Sequence, residues 1–173
     1  MSAEDVVWFL GLVDRLGIEV WLDGGWGVDA RLGEQTRRHR DLDVVVEQQD
    51  LRALREALAA SGFVDSPTED RTDWNFVLVD PEGRRIDVHV IVIDEHGNGI
   101  YGPAENGIFY PASALTGSGS VGGRPVRCLT PEYQVQSHTG YELDENDLSD
   151  VMALHERFGV PLSEEQRRAS DRG

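Results

Sequence analysis

Two apolar runs carry acidic residues on a two-residue beat. Asp41-Leu42-Asp43-Val44-Val45-Val46 and Ile86-Asp87-Val88-His89-Val90 both read as strands, because β-branched residues dominate and polar positions alternate. Residues two apart in a strand share a face, roughly 6.6 Å apart along it. Asp41 and Asp43 therefore point one way and Leu42, Val44 and Val46 the other. Asp87 and His89 repeat the pattern against Ile86, Val88 and Val90. Strands this apolar are expected to be well buried, and a carboxylate there needs a compensating partner. Three convergent carboxylates without a cysteine or histidine cluster suit magnesium, a hard cation that takes oxygen ligands and is commonly completed by substrate phosphates. The competing reading of the same residues is a set of solvated ion pairs with Arg37, Arg38 and Arg40.

The surrounding sequence supplies helices. Ser2 with Asp5 forms a capping-box signature, Val6, Phe9, Leu10, Val13 and Leu16 recur at helical spacing, and Gly17 closes the helix. Glu19 to Leu22 reads as a short strand, Asp23-Gly24-Gly25 as a turn, and Trp26 to Leu32 as a short helix. Asp50 is the expected cap of a helix carrying Leu51, Leu54 and Leu58. Strands at Trp74–Val79 and Arg85–Ile93 should pair across the turn Asp80-Pro81-Glu82-Gly83. Eight of the 19 glycines fall between Gly97 and Gly123, so loops and a short hairpin at Gly122-Gly123 are expected there. Thr130-Pro131 opens a further helix, and a last one runs from about Glu145 to Phe158 with Leu148, Val151, Met152, His155 and Phe158 inward. The charged tail from Ser163 is expected to fray. The fold class is α/β (α+β): a mixed-sheet core flanked by helices over residues 1–110, a C-terminal hairpin and helices over 111–162, and a charged tail over 163–173.

Composition removes several functions. At 173 residues the chain has room for one domain with a real core. All 16 basic residues are arginine, so neither a Walker P-loop nor Schiff-base chemistry on a lysine is available. The single cysteine, Cys128, excludes an internal disulfide and multi-cysteine zinc sites. No run is long enough to span a membrane and no leader is apparent, so a cytoplasmic protein without membrane contact is expected. The net charge of -16 should repel nucleic acid and attract metal ions or small amine-bearing molecules, besides keeping the protein soluble.

Asp23-Gly24-Gly25-Trp26-Gly27 stands between a strand and a helix. Paired glycines let a backbone approach a phosphate, and a helix N-terminus offers free N–H groups. A Gly-Gly pair alone most often marks a tight turn. Joined to Asp41 and Asp43, it suggests a phosphate cradle facing a metal site.

The stretch WLDGGWGVDARLGEQTRRHRDLDVVV, from Trp21 to Val46, resembles the core motif of the antibiotic nucleotidyltransferases. It is most similar to the small lincosamide nucleotidyltransferases. The aminoglycoside nucleotidyltransferases share the GGW, DARLG and TR-x-H-x-D-x-D elements. The likeness resumes at IDVHVIVIDEHGNG, GGRPVRC and HTGYELDENDLSDV, and so covers most of Glu19 to Val160. It implies a polymerase-beta-like fold and the transfer of a nucleoside monophosphate, usually from ATP, to a hydroxyl with loss of pyrophosphate. By the same resemblance, Asp41 and Asp43 bind two magnesium ions and the triphosphate. Asp87 is the third carboxylate, as metal ligand, base or both. Gly24 and Gly25 hold phosphate through backbone amides, and Arg37 and Arg40 neutralise the triphosphate.

Further side chains have both a functional and a plain reading. His89 is a candidate proton relay or a hydrogen-bonded core histidine, and His39 orients a carboxylate or makes a surface contact. Trp74, Tyr101, Phe109 and Tyr110 form an acceptor wall or ordinary core. His138 and Tyr141 are read as packing, and Glu142, Asp144, Glu145 and Asp147 as helix-start charge. The expected partners are a nucleoside triphosphate and a small hydroxylated amine-bearing substrate, first a lincosamide and second an aminoglycoside, with the chain a monomer or homodimer. Other hydroxylated acceptors (a metabolite, a protein, a transfer RNA end), a non-enzymatic regulator, and a two-carboxylate glycosidase rank below these.

Overall fold

The computed structural model describes residues 1–69 and 71–171. Helix α1 (Ala3–Leu16) begins at the Ser2–Asp5 capping box and ends at Gly17 in the left-handed region. Val6, Phe9, Leu10 and Val13 are buried, whereas Leu16 lies at the fraying end and is exposed. Strand β1 (Val20–Leu22) leads into α2 (Gly24–Leu32). The two glycines expected to form a turn are instead the first residues of that helix, capped by Asp23.

Strand β2 (Leu42–Glu47) is followed by α3 (Leu51–Ala60), then β3 (Val64–Ser66), β4 (Asn75–Val79) and β5 (Arg85–Ile93). Asp50 flanks α3, but its side chain makes no capping bond. Strands β6 (Gly99–Tyr101) and β7 (Phe109–Tyr110) extend the sheet within the glycine-rich stretch. The order is β1-β2-β5-β4-β3, with β6 on the far end of β5 and β7 on β6. β2 and β5 run parallel in the middle; their neighbours are antiparallel. A parallel pair needs a long crossover, and α3, β3 and β4 supply it.

One face of the sheet packs against α1 and α3. Leu42, Val44, Ile86 and Val88 are wholly buried there with Phe9, Leu54 and Leu58. Each such side chain contributes about 1.5–3 kcal/mol by leaving water, which fixes the register, since a one-residue slip would turn the carboxylates into this core. The hairpin β8 (Ser118–Val121) and β9 (Arg124–Arg127) turns at Gly122-Gly123 and adds Val121 and Val126 to the same core. Cys128 is buried beside it, and burial pushes its thiol up to about 11.

Helices α4 (Pro131–Ser137), α5 (Glu145–Phe158) and α6 (Glu164–Ser170) pack behind α2. The buried face of α5 is Asp150, Val151 and Leu154; Phe158 is exposed, and Leu148, Met152 and His155 are half-buried. Asp144 and Asp147 form the capping box of α5, which accounts for the acidic run. The tail does not fray at Ser163: that residue caps α6, and buried Gln166 donates to the carbonyls of Val135 (2.7 Å) and His138 (2.9 Å). Arg172 and Gly173, the end of the expected tail, lie outside the described residues. No helix among the described residues is long and apolar enough to cross a membrane.

Candidate active site

The sheet topology brings two carboxylates together. Asp43 on β2 and Asp87 on β5 are direct partners in the parallel register, and Val45 is the partner of His89 one step further along. Ligand atoms of Asp43, Asp87 and His89 all lie within 4.8 Å of one another. Asp41 stands just before β2 and outside that close group, yet its charge acts on Asp43. The ion pairs with Arg37, Arg38 and Arg40 do not form among the described residues: Arg37 pairs with Asp150 instead.

This crowding has an electrostatic signature. Burial, then the neighbouring charge of Asp41, and further those of Asp23 and Asp87, push the Asp43 carboxyl up, against the opposing pull of His89. Burial pulls the His89 imidazole down, but its hydrogen bond to Asp23 and the charges of Asp23, Asp43 and Asp87 outweigh that and raise it. His89 Nδ1 is 3.5 Å from Asp23 Oδ2 and 3.1 Å from the Tyr110 hydroxyl, and His89 Nε2 is 3.7 Å from Asp87 Oδ1. Tyr110 also donates to Asp23 at 3.4 Å. A row of rings continues outward, His89 to Tyr101 at 5.7 Å, Tyr101 to Tyr110 at 5.9 Å and Tyr110 to Tyr133 at 5.3 Å.

The glycines belong to the same place. Gly24 has φ +52, and a Cβ there would overlap the Asp43 carboxylate, so only glycine lets α2 start against β2. Its N–H bonds the Asp23 side chain at 2.7 Å. The amides of Gly25 and Trp26, in the first turn of α2, have no intrahelical acceptor. A Cβ on Gly25 would overlap His39 Nδ1 and lie 2.6 Å from Arg37 Nη2.

Both side chains over Gly25 come from the loop after α2. That loop is tied down by buried Asp29, which accepts from the Thr36 amide (3.1 Å) and hydroxyl (2.6 Å) and meets His39 Nε2 at 2.5 Å. His39 is buried, so the surface contact is not made; the carboxylate it meets is that of Asp29, and the pair locks the loop. Arg37 reaches α5, with Nε 3.2 Å from Asp150 Oδ1 and Nη2 2.6 Å from Oδ2. Arg40 is exposed and makes no ion pair among the described residues.

Of the expected acceptor wall, Tyr101 and Tyr110 face the carboxylates. Trp74 packs at the edge of the core on the other face and Phe109 is exposed, because alternate residues of a strand point apart. Asp23, Asp29, Tyr133 and Asp150 were not singled out from the sequence. Two of them left a signal: Asp23 is an N-cap residue before a Gly-Gly pair, and Asp150 stands four residues before Leu154, on the buried stripe of α5. A cavity of about 820 Å³ lies away from the carboxylates, between the α4–α5 loop, α5 and α6, and its wall includes Tyr141, Glu142 and Glu165.

Residues 5–154 match the family model described as aminoglycoside-2''-adenylyltransferase. The chain is 27% identical over 157 residues to a lincosamide resistance protein of Staphylococcus haemolyticus, a span of 89% of this chain and 94% of that protein. It is 46% identical over 35 residues, 20% of each chain, to a 2''-aminoglycoside nucleotidyltransferase of Escherichia coli. Among solved structures it resembles a lincosamide antibiotic adenylyltransferase with lincomycin bound, with a TM-score of 0.77 at 27% identity over 87% of this chain and 94% of that one. It also shares its fold with ANT(2'')-Ia in complex with adenylyl-2''-tobramycin, with a TM-score of 0.68 at 19% identity over 98% and 95% of the two chains.

Proposed function

The chain belongs to the aminoglycoside-2''-adenylyltransferase family and is a nucleotidyltransferase; from that premise we propose that it transfers AMP from ATP to a hydroxyl of a small antibiotic, a lincosamide first and an aminoglycoside second, releasing pyrophosphate. The observation that carries the reading is the register pairing of Asp43 with Asp87 against the Gly24 backbone.

The donor set fits a hard divalent ion. Half-buried carboxylates that repel one another are relieved by a cation, and oxygen ligands suit magnesium. Asp41, Asp43 and Asp87 would hold it, as one ion or two, and when bound it would supply charge neutralisation at the phosphates and a lowered pKa for the acceptor hydroxyl. Asp87 stands to take the proton from that hydroxyl. The acceptor oxygen forms a bond to the α-phosphorus, and the bond from that phosphorus to the bridging oxygen breaks, so pyrophosphate leaves with the electron pair. The Gly25 and Trp26 amides, at a helix N-terminus, and the Arg37 guanidinium beside them are placed to bind phosphate oxygens. Exposed Arg40 is a second cation for the same charge. His89, held between Asp23 and Tyr110, orients the carboxylate group and is the candidate proton relay.

A lincosamide acceptor is favoured because the lincosamide relative is 27% identical over nearly the whole chain, whereas the aminoglycoside enzyme reaches 46% over 35 residues and only 19% over the full length. The ring row ending at Tyr133 of α4 supports a part for residues 111–162 in the acceptor side. Incubation with magnesium, ATP and a panel containing lincomycin, clindamycin and tobramycin, read by mass spectrometry, tests both steps. A drug heavier by one AMP identifies the acceptor. Pyrophosphate release with none of these drugs modified would keep the chemistry and reject the acceptor class, and a mass gain on tobramycin alone would favour the aminoglycoside reading.

A further inference from the structure

Asp150 is 4% exposed, sits on the buried stripe of α5, and lies 113 residues along the chain from the arginine it grips. A buried carboxylate is retained at a cost unless its partner is fixed. Here the partner is fixed by two bonds along one edge of the guanidinium, Nε to Oδ1 and Nη2 to Oδ2. A guanidinium has five N–H donors, so this grip leaves the two hydrogens of Nη1 and one of Nη2 for another acceptor. Nη2 is also the atom that packs over Gly25, beside the first-turn amides of α2 that have no intrahelical acceptor. Arg37 remains partly open, with 27% of its side chain exposed.

We infer that Asp150 is a positioning residue for the phosphate site: by holding one edge of Arg37 it aims the other at the α2 N-terminus, and it thereby couples the docking of α5 to the binding of the triphosphate. The inference rests on the nucleotide reading of the Gly24-Gly25 region. It gives α5 a task at the donor end of the reaction, separate from any contact with the acceptor. An ion pair serving only to dock α5 would contribute to folding but would be indifferent to whether phosphate is present.

The test is a double-mutant cycle on magnesium-ATP affinity with wild type, Asp150→Asn, Arg37→Gln and the double variant, together with KM for ATP and for the acceptor. Mutating the outer partner of a metal ligand typically costs about 10–100-fold in affinity, and an effect at the lower end of that scale is expected for the partner of a phosphate-binding arginine. Asp150→Asn is expected to raise the dissociation constant for ATP and for inorganic pyrophosphate by about tenfold, to leave the acceptor KM unchanged, and to have no further effect once Arg37→Gln is present. An equal loss on the Arg37→Gln background, a loss falling on the acceptor KM as much as on ATP, or no loss in a folded Asp150→Asn protein overturns the inference. Should Asp150→Asn fail to fold, hydrogen exchange carries the test: magnesium-ATP should slow exchange of the α5 amides in wild type and fail to do so in Arg37→Gln, and unchanged α5 exchange in wild type overturns it. Absence of ATP binding by the wild-type chain sinks the nucleotide site itself; ATP binding with an indifferent Asp150→Asn sinks this inference alone.

Discussion

Asp43 and Asp87 stand opposite one another in the parallel register of β2 and β5, with carboxylate oxygens close enough to share one ion. Without that ion, burial and then the charges of Asp41, Asp23 and Asp87 raise the Asp43 carboxyl. Asp43→Asn should therefore stabilise the metal-free protein while destroying its activity. About 1 kcal/mol of relief corresponds to a rise in Tm of roughly 2–4 °C for a chain this size. Thermal melts in a chelator give the answer; an unchanged or lower Tm means that His89 already balances the cluster.

Asp87→Asn removes both a ligand and the proposed base. A positioned base contributes about 10²–10⁴-fold to rate, and a loss in that range is expected in kcat with the fold intact by circular dichroism. A variant retaining more than a tenth of the wild-type rate would move the base to another residue, with His89 the next to change.

Magnesium itself should be visible without any substrate. An ion that binds only the folded state at about a hundred times its dissociation constant stabilises by about 2.7 kcal/mol. Titration with magnesium chloride should raise the wild-type Tm, excess chelator should return it, and neither Asp43→Asn nor Asp87→Asn should respond. Equal shifts in wild type and Asp87→Asn would show that the ion acts on the general negative surface instead.

The strands of the site were legible because the signal was local. Alternation alone put Asp43 and Asp87 on faces opposite their valines. That the two strands are neighbours and parallel depends on the crossover through α3, β3 and β4, which no alternation encodes. Asp29 and Asp150 escaped notice because their work is done across the fold, by gripping a loop that composition marks only as polar. Trp74 and Phe109 were grouped with the site by residue type, whereas the pleat sends them elsewhere. The tail was misread because Gln166, a polar residue, is buried by hydrogen bonds to α4 rather than by apolar contact.

Gly24 and Gly17 make a matched pair of backbone tests. Both have positive φ, +52 and +69, but a Cβ at Gly17 meets nothing within 4 Å, whereas one at Gly24 overlaps the Asp43 carboxylate. Gly17→Ala should cost about 1–2 kcal/mol for the left-handed backbone and leave turnover of the folded protein unchanged. Gly24→Ala should cost at least as much and also abolish most turnover, since either α2 or the carboxylate must shift. Equal specific activity in the two variants would detach the glycine pair from the reaction.

Away from the site, Asp80 sets a pH limit on stability. Its Oδ1 accepts from the amides of Glu82 (3.0 Å) and Arg84 (2.8 Å) in the β4–β5 turn, and Oδ2 accepts from Arg84 Nε at 2.7 Å. Burial pushes this carboxyl up, but the Arg84 guanidinium and the two amides outweigh it and hold it below its ordinary value of 3.8. A carboxyl depressed by folding binds its proton less readily in the native than in the unfolded state, so its contribution is fully present above the unfolded value and is lost as pH falls through the folded one. Asp80→Asn keeps an oxygen for the turn amides but removes the negative charge and the acceptor that face Arg84. Hydrogen bonds to charged groups contribute about 1.5–3 kcal/mol, so a deficit of about 2 kcal/mol is expected in urea unfolding at pH 7. The deficit should shrink as the pH falls below the ordinary value of 3.8 and through the lower folded one, as wild-type Asp80 itself takes up its proton. A deficit of the same size at pH 7 and at the lowest pH where both proteins fold would mean that the carboxylate charge is not what Arg84 recognises.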